Sequence, residues 1–182
     1  MRATALALPG VMVSEPREFA DARGSGFESW NERDFAAAGI AARFVQENVS
    51  RSRAYVLRGL HYQIRHTQGK LVRVLAGAIF DAVVDLRRSS STFGRTLAVA
   101  LEAGAARSLW VPPGFAHGFL ALSDETRVQY QVTDYWSREA ERTLRWDDPA
   151  LAIDWPLPPG RTPLLSDKDR DGTPLAQAEC FP

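Results

Sequence analysis

The sequence predicts an all-β protein whose mainly antiparallel short strands form a sandwich or a barrel. From Lys70 onward, β-like apolar runs alternate with turn residues such as Gly, Pro, Ser and Asp. The chain has 182 residues, of which 45% are hydrophobic and 24% charged, an ordinary composition for one globular core. It contains no repeat of fixed period and no linker-like tract, so residues 1–182 are expected to form a single domain. The runs are Leu71–Leu75, Ile79–Leu86, Thr96–Leu101, Leu109–Val111, Gly118–Leu122 and Arg127–Tyr135.

The main helix of the first half is predicted just after Ser29. Ser29 and Glu32 have the Ser-x-x-Glu spacing of a capping box, in which each side chain bonds the backbone N–H of the other residue. Phe35 and three alanines follow, and Gly39 is placed to end the helix. We therefore expect one or two helical turns before the strands begin.

The last run indicates the direction of one aromatic side chain. Successive side chains of a strand point to opposite faces of the sheet, so Val128, Tyr130 and Val132 share one face. Tyr130 is therefore predicted to point inward with the valines. Because a buried phenol needs a hydrogen-bonding partner, it either has one in the core or faces a ligand in a cavity.

The charge balance excludes several classes of partner. Lys and Arg number 22 and Asp and Glu number 22, so no net field is available to hold nucleic acid or an anionic membrane. The apolar stretch Ser108–Ser123 contains prolines and a histidine and falls short of the roughly 20 residues of a spanning helix. The apolar start up to Leu8 is interrupted by Pro9–Gly10, and Cys180 is the only cysteine, so a cytoplasmic location is expected.

The histidines are the scarcest residues capable of chemistry. They are His61, His66 and His117. Three imidazoles inside a β-barrel would suit zinc, iron or nickel, but no glutamate lies between Glu47 and Glu102 to complete such a site. The carboxylate would have to come from Asp81 or Asp85, which share one strand face that is predicted to be solvent-exposed. Composition and spacing alone leave an enzyme, a metal site and a small-ligand binder open, and this count of possible ligands argues against the metal, so none is predicted.

Five segments occur in a fixed order over nearly the whole chain, from about Leu8 to Asp169. They are Phe44–Asn48, Val56–Gln63, Gln68–Val74, Leu109–Phe119 and Leu165–Asp169. In order and spacing, this series resembles the successive motifs of the dTDP-4-dehydrorhamnose 3,5-epimerase family. A series of motifs is far more specific than any one of them.

This resemblance implies a fold, an activity and a set of partners. The implied fold is a cupin-like jelly-roll barrel with a few short helices, and the implied assembly is a homodimer without metal or organic cofactor. The expected substrate is a dTDP-linked 4-keto-6-deoxy sugar. The family inverts the carbons 3 and 5 that flank the ketone, which converts dTDP-4-dehydro-6-deoxy-D-glucose to dTDP-4-dehydro-L-rhamnose in dTDP-L-rhamnose biosynthesis.

The resemblance also implies roles for individual residues. His61 matches the general base, Tyr130 the general acid, and Asp169 the carboxylate that orients the base. Lys70 and His117 match positions that contact the sugar, and Lys70 is suited to face a developing enolate oxygen. Other matching positions suit a diphosphate and a base, where cations and a stacking aromatic are appropriate. These substrate-contacting positions are Arg23, Glu28, Gln46, Glu47, Asn48, Arg58, Glu141, Lys168 and, in place of the usual thymine-stacking tyrosine, Trp136.

The sequence departs from the family pattern at a few positions near these residues. Ser25–Gly26 stands where aromatic residues are common, Val49 where histidine is usual, and Gln131 where lysine is frequent. These departures leave open a mono-epimerase that acts on a related nucleotide-linked 4-keto sugar. A non-catalytic sugar-nucleotide binder would have no reason to keep a base, an acid and an orienting carboxylate together, and a metal-dependent cupin would respond to chelators.

Overall fold

The structure is a computed structural model that describes residues 1–182. Antiparallel strands account for most of the ordered elements, with two short helices and a 3-10 turn at Leu175–Gln177. No helix has the length and apolar character needed to cross a bilayer. The strands are β1 (Arg2–Ala5), β2 (Met12–Glu15), β3 (Glu18–Asp21), β4 (Gly24–Phe27), β5 (Gln46–Ser52), β6 (Leu57–Gln63), β7 (Lys70–Ala76), β8 (Ala78–Asp85), β9 (Thr96–Glu102), β10 (Ser108–Val111), β11 (Phe115–Ala121), β12 (Thr126–Val132) and β13 (Glu141–Thr143), and the helices are α1 (Glu32–Ala37) and α2 (Asp167–Arg170).

Two large sheets build the barrel. One has the strand order β1-β2-β10-β7-β12-β5, the other the order β13-β6-β11-β8-β9, and every named pair within them is antiparallel. A separate hairpin is formed by β3 and β4. Strands that are neighbours in a sheet are often distant in sequence, as expected for a jelly roll. The predicted cupin-like jelly-roll fold is confirmed.

Apolar side chains from both sheets meet in the barrel interior. Val72 and Val128 of the first sheet pack there against Val83 and Phe115 of the second. A second apolar cluster covers the outer face of the five-stranded sheet with residues of the C-terminal segment, among them Trp155. As a result, the central strands β8 and β11 are buried on both faces.

The structure confirms the strands predicted after Lys70, which correspond to β7 through β12. The last one ends at Val132 rather than Tyr135, because the backbone bends at Thr133 and Asp134. At this bend the Asp134 side chain accepts a hydrogen bond from the Tyr135 backbone N–H. Val128 and Val132 are buried, as the alternation predicts.

The predicted helix is present, but its predicted cap is wrong. Helix α1 begins at Glu32, and Asn31 is the N-cap, whose side chain accepts hydrogen bonds from the backbone N–H groups of Arg33 and Asp34. Ser29 lies outside the first turn and cannot form the predicted capping box. Phe35 is buried by the helix against Leu71 and Trp110, which fixes α1 on the outer face of the six-stranded sheet.

The prediction that Asp81 and Asp85 face solvent is also wrong. Both have 0% of their surface exposed. They share a face with Ile79 and Val83, and this face points into the barrel. The sequence pattern identifies the shared face correctly, but it misassigns which side is exposed because β8 has apolar residues on both faces.

Candidate active site

A polar cavity of about 470 Å³ lies between the two sheets. Its walls combine strands of both sheets with the segment that carries α2. Most of the residues singled out from the sequence line it, although they are spread over more than 120 positions of the chain. They are Gln46, Asn48, Arg58, His61, Lys70, His117, Tyr130, Trp136, Glu141, Lys168 and Asp169.

A bulge in β6 brings two of these residues to the same face. His117 of β11 pairs with His61, whereas Phe119, two positions later, pairs with Arg58, three positions earlier. Strand β6 therefore contains one residue more than its partner, and the alternation of its side chains is reset. Arg58 and His61, which a regular strand would direct to opposite faces, both line the cavity.

Gly59 makes this bulge possible. Its φ is 128°, a conformation that L side chains rarely adopt, and an added Cβ would lie 2.5 Å from the Cα of Gly118. Its backbone N–H is directed at the Oδ1 of Asp169, at 3.3 Å. The bulge therefore supplies a hydrogen-bond donor to the site as well as a change of strand register.

His61 and Asp169 form a buried pair. The His61 Nε2 lies 2.5 Å from the Asp169 Oδ1. Burial lowers the pKa of His61, and the carboxylate offsets this only in part, so the ring is neutral at neutral pH. Burial would raise the pKa of Asp169, but the hydrogen bonds it accepts outweigh burial and keep it ionised. A neutral imidazole that donates through Nε2 keeps its lone pair on Nδ1, as a general base requires.

Ser166 holds Asp169 in place. It is the N-cap of α2, and its Oγ donates to the Asp169 Oδ2 at 2.6 Å. With the Nε2–H of His61 and the N–H of Gly59, three donors surround this carboxylate. The sequence analysis missed Ser166 and Gly59 as supports, although the Ser-x-x-Asp spacing is itself a helix-capping signal.

Tyr130 faces the cavity from the opposite wall. It belongs to β12 of the six-stranded sheet, while His61 belongs to β6 of the five-stranded sheet. Burial raises the pKa of Tyr130, so its hydroxyl stays protonated at neutral pH. The predicted inward direction of Tyr130 is confirmed, and its partner is the cavity rather than the core.

Lys70 reaches from one sheet to the other. It is the first residue of β7 and is 8% exposed, and its Nζ donates to the backbone carbonyl of His61 at 3.1 Å. Burial lowers the pKa of Lys70 to about 8, against the opposing effect of the Asp81 and Glu141 charges. The ammonium is therefore mostly charged at neutral pH and poorly solvated, which favours an anion beside it.

His117 lies in the cavity wall next to His61. The Nε2 of His117 is 2.9 Å from the Oδ2 of Asp81, and both residues are buried. Burial raises the pKa of Asp81, while His117 and Lys70 oppose this shift. A second imidazole–carboxylate pair therefore lies at the cavity wall, with His117 lining the cavity and Asp81 buried behind it. The resemblance implied a site role for the histidine only.

Cations and polar side chains line the outer part of the cavity. The Arg58 Nε donates to the Ser52 Oγ at 3.1 Å, which fixes the guanidinium. The Lys168 Nζ lies 2.9 Å from the Glu141 Oε1, and this cation lowers the pKa of Glu141 against the effect of burial. Both cations remain accessible from the cavity.

Trp136 stands at the rim of the cavity. Its side chain is 53% exposed, and its backbone N–H donates to the Gln46 Oε1 at 3.0 Å. Gln46 in turn donates to the Asn48 Oδ1 at 2.9 Å. An exposed indole held beside two polar side chains is suited to stack on a planar group of a ligand.

Three predicted contact residues lie away from the cavity of their own chain. Arg23 is in the turn between β3 and β4 and pairs with Asp21 at 2.6 Å, and Glu28 follows β4 on the surface. Glu47 lies on the outer face of β5, where it accepts a hydrogen bond from Gln131. A single copy of the chain does not bring these three residues to the site.

The histidines are not gathered around one point. His66 is on the surface, 3.5 Å from Asp134, while His61 and His117 each pair with a different carboxylate. No three His, Cys, Asp or Glu side chains are grouped as metal ligands.

The fold and the cavity together define a class of protein. A jelly-roll barrel of the cupin type that holds a carboxylate-bound imidazole and a phenol on facing walls has the groups that acid–base catalysis requires. The sequence model of a protein family, described as dTDP-4-dehydrorhamnose 3,5-epimerase, matches residues 5–177. The chain belongs to this family.

Similar proteins support this assignment. A protein of Pseudomonas aeruginosa named dTDP-4-dehydrorhamnose 3,5-epimerase is 54% identical over 183 residues, which cover 100% of both chains. A Shigella flexneri protein of the same name is 46% identical and covers 96% of each chain. The crystal structure of a dTDP-6-deoxy-D-glucose-3,5-epimerase from Legionella pneumophila, in complex with dTDP-4-keto-L-rhamnose, superposes with a TM-score of 0.93 at 44% identity and covers 98% of this chain and 94% of that one.

Proposed function

We propose that this protein is an isomerase that inverts carbons 3 and 5 of dTDP-4-dehydro-6-deoxy-D-glucose and forms dTDP-4-dehydro-L-rhamnose, a step of dTDP-L-rhamnose biosynthesis. The observation that carries the proposal is the placement of His61 and Tyr130 on facing walls of one cavity, with Lys70 reaching between the walls. Inversion of a carbon needs a proton removed from one side and returned from the other, which this arrangement provides.

The chemistry follows from the acidity of hydrogens next to a ketone. His61, neutral and oriented by Asp169, removes a proton from the carbon beside the carbonyl, and the electron pair moves into the carbonyl to form an enolate. Tyr130 then donates its hydroxyl proton to the same carbon from the opposite face. His61 then releases its extra proton to water, and Tyr130 takes up a proton from water, so both groups return to their starting states.

The enolate oxygen requires stabilisation, which we assign to Lys70. Its ammonium is buried, so its interaction with a developing anion is weakly screened. His117 is the second group of the cavity wall that we expect to contact the sugar. Both residues are held by hydrogen bonds, so the Lys70 ammonium is already in place when the charge develops.

The outer part of the cavity suits the nucleotide. We assign the diphosphate to Arg58 and Lys168, and the thymine to the exposed ring of Trp136. Gln46, Asn48 and Glu141 are the further side chains that would contact the substrate. This places the reactive sugar at the inner end of the cavity, next to His61.

A homodimer would account for the predicted contacts that one copy does not make. The hairpin of β3 and β4 is exposed along its whole length, and Phe19 has 60% of its surface exposed. We infer that this hairpin packs on a second copy and brings Arg23 and Glu28 to the substrate there. Glu47 lies on the outer face of β5, at the edge of the six-stranded sheet, and is assigned to this shared region as well.

Mixing two defective variants tests the dimer. His61→Asn lacks the base, and Arg23→Ala lacks the hairpin cation, so each homodimer should be impaired. If Arg23 acts on the second copy, a mixed dimer has one complete site, and mixing after mild dissociation should restore activity. Activity that stays at the sum of the two variants would show that Arg23 does not act across the interface.

Two broader expectations are also proposals. We propose that residues 1–182 act as one domain, and that the protein works in the cytoplasm. The second rests on its single cysteine, Cys180, which can form no disulfide within the chain. Folding and activity of the isolated chain test the first, and fractionation of the cells that produce the protein tests the second.

Proton exchange tests the proposed activity directly. With dTDP-4-dehydro-6-deoxy-D-glucose in deuterium oxide, NMR should show deuterium at both carbons 3 and 5. Exchange at one carbon only would identify a mono-epimerase, and no exchange in folded protein would exclude the epimerase function. Activity should also survive EDTA, whereas loss in EDTA and recovery with zinc or iron would favour a metal-dependent cupin.

A further inference from the structure

Asp81 is a fully buried carboxylate inside the barrel that the proposed reaction does not yet use. It lies on β8, and its Oδ2 is bonded to the His117 Nε2 at 2.9 Å. Its Oδ1 is also buried but has no hydrogen-bond partner. A buried, half-satisfied carboxylate is costly, so its presence beside a reactive cavity calls for a function.

Lys70 presents the complementary problem. Its ammonium is buried, yet its one hydrogen bond goes to the neutral carbonyl of His61, and no carboxylate lies within 4.0 Å of it. A buried cation needs a counter-charge to stay protonated. Lys70 is connected to Asp81 through two paired histidines, because Lys70 bonds to the His61 carbonyl, His61 pairs with His117 in the sheet, and His117 bonds to Asp81. The other charged groups that act on Lys70 are Glu141 from β13 and Lys168 from α2. Glu141 is already paired with Lys168, which leaves Asp81 as the anion not bound to another cation.

We propose that Asp81 is a positioning residue that fixes the imidazole of His117 and supplies the counter-charge that keeps Lys70 cationic. This inference rests on the proposed function, because it assigns Lys70 to the enolate oxygen. It adds a member to the site that the sequence analysis placed on the solvent side of its strand.

The bond to Asp81 also determines which nitrogen of His117 faces the sugar. With the carboxylate ionised, the Nε2–H donates to Asp81, and the Nδ1 keeps a lone pair. His117 then accepts a hydrogen bond from a sugar hydroxyl instead of competing with Lys70 for the enolate oxygen. Asp81 thereby leaves the enolate oxygen to Lys70 and a sugar hydroxyl to His117.

Charge removal at Asp81 should change the titration of Lys70. Burial already lowers the pKa of Lys70 to about 8, and Asp81 is the largest influence that opposes this shift. In Asp81→Asn the pKa of Lys70 should fall by roughly one further unit, because an opposite charge nearby is typically worth one to three units. The residue would then lose its proton near neutral pH.

Two measurements test the proposal on the full chain. NMR titration of the Lys70 Nζ, without substrate, gives its pKa in wild type and in Asp81→Asn. Deuterium exchange into substrate, from about pH 6 to about pH 9.5, gives the activity profile. Wild-type kcat should fall above about pH 8, and in Asp81→Asn this fall should begin roughly one unit lower, with KM changed less than about threefold.

Asp85→Asn is the matched control. Asp85 lies on the same strand and is equally buried, but it is bonded to Arg87, Ser90 and Thr92 at the far end of the barrel. Its loss should lower thermal stability without moving the Lys70 titration or the alkaline fall in activity. A shift of equal size in Asp85→Asn would mean that the Asp81 effect reflects general loosening of the barrel.

The outcomes separate this proposal from the proposed function. An unchanged Lys70 pKa in folded Asp81→Asn overturns the counter-charge role even if the wild type is fully active. A wild type without exchange removes the proposed function, while the NMR titration still decides the Asp81–Lys70 coupling. If both Asp81→Asn and the smaller Asp81→Ser fail to fold, Asp81 serves stability alone and the proposal is wrong.

Discussion

Two imidazole–carboxylate pairs, His61–Asp169 and His117–Asp81, lie at the cavity. They consist of the same residue types but differ in their surroundings. Asp169 accepts hydrogen bonds from His61, Ser166 and Gly59, whereas Asp81 accepts only one, from His117. Burial acts on both carboxylates in the same direction. The pKa of Asp81 is raised and that of Asp169 is lowered, because Asp81 is more deeply buried and accepts fewer hydrogen bonds.

This difference separates the tasks of the two pairs. An ionised Asp169 can stabilise the positive charge that His61 acquires when it takes a proton, so this pair suits a base that cycles between two charge states. In the second pair, Asp81 accepts a hydrogen bond only from His117. We therefore assign it the role of counter-charge to the Lys70 ammonium. The same residue types therefore differ in the pKa of the carboxylate, because its burial and its hydrogen bonds differ.

The largest expected effect comes from removing the base of the first pair. His61→Asn should keep the fold but abolish exchange at carbons 3 and 5, a loss of about a hundredfold or more. The control is His66→Asn, because the His66 side chain is 64% exposed and lies outside the cavity. Full activity of His61→Asn would assign the base to another group, with His117 as the nearest candidate.

The next effect concerns the carboxylate of the first pair. Asp169→Asn should lower kcat by about a hundredfold and Ser166→Ala by roughly tenfold, since the latter removes one donor of three. The acid side of the pH profile reports the mechanism. Activity falls as the pH drops through the pKa of His61, which Asp169 raises, so Asp169→Asn should move this fall to lower pH. A shift to higher pH, measured by the same exchange assay, would contradict the pairing.

Tyr130→Phe removes the acid while both pairs stay intact. The ring keeps its packing, so stability should change little, and His61 should still exchange a substrate proton at a rate within about tenfold of wild type. Net inversion at carbon 5 should be lost, because the enolate can then be protonated only from the face of the base. NMR distinguishes exchange from inversion in one sample. Inversion at the wild-type rate would mean that another group or water is the donor.

The smallest effect is expected far from both pairs. Arg58→Ala should raise KM by roughly tenfold and change kcat by less than about threefold, since a diphosphate contact acts in the ground state as well as in the transition state. Steady-state kinetics separate the two constants. Arg51→Ala is the control, because Arg51 is a neighbouring cation whose side chain is bound to Glu125 outside the cavity. A fall in kcat without a change in KM would instead show that Arg58 acts in the chemical step.

The predictability of the fold from sequence varied along the chain. Strands β7 to β12 were predicted because they are apolar runs with clear breaks. The strands before Lys70 are not predicted from the sequence pattern. Strand β5 is an example, because it reads Gln-Glu-Asn-Val-Ser-Arg-Ser and has the cavity on one face and an exposed surface on the other. Polar strands of this kind carry no alternation signal.

The site showed the same limit. The inward direction of Tyr130 followed from simple alternation, but Arg58 and His61 share a face only because of the bulge at Gly59. Asp169 lies 108 positions from His61, so only the family resemblance connected the two residues. Asp81 could not be recognised, because alternation does not tell which face of a doubly covered strand points into the cavity.

The long separation between His61 and its carboxylate also bears on synthesis of the protein. The ribosome makes His61 108 residues before Asp169, and it makes strands β7 to β13 between them. A nascent chain can therefore form the strands of the barrel before it has an oriented base. Orientation of the imidazole thus depends on a segment that follows the barrel strands and folds back onto β6, the strand that carries His61.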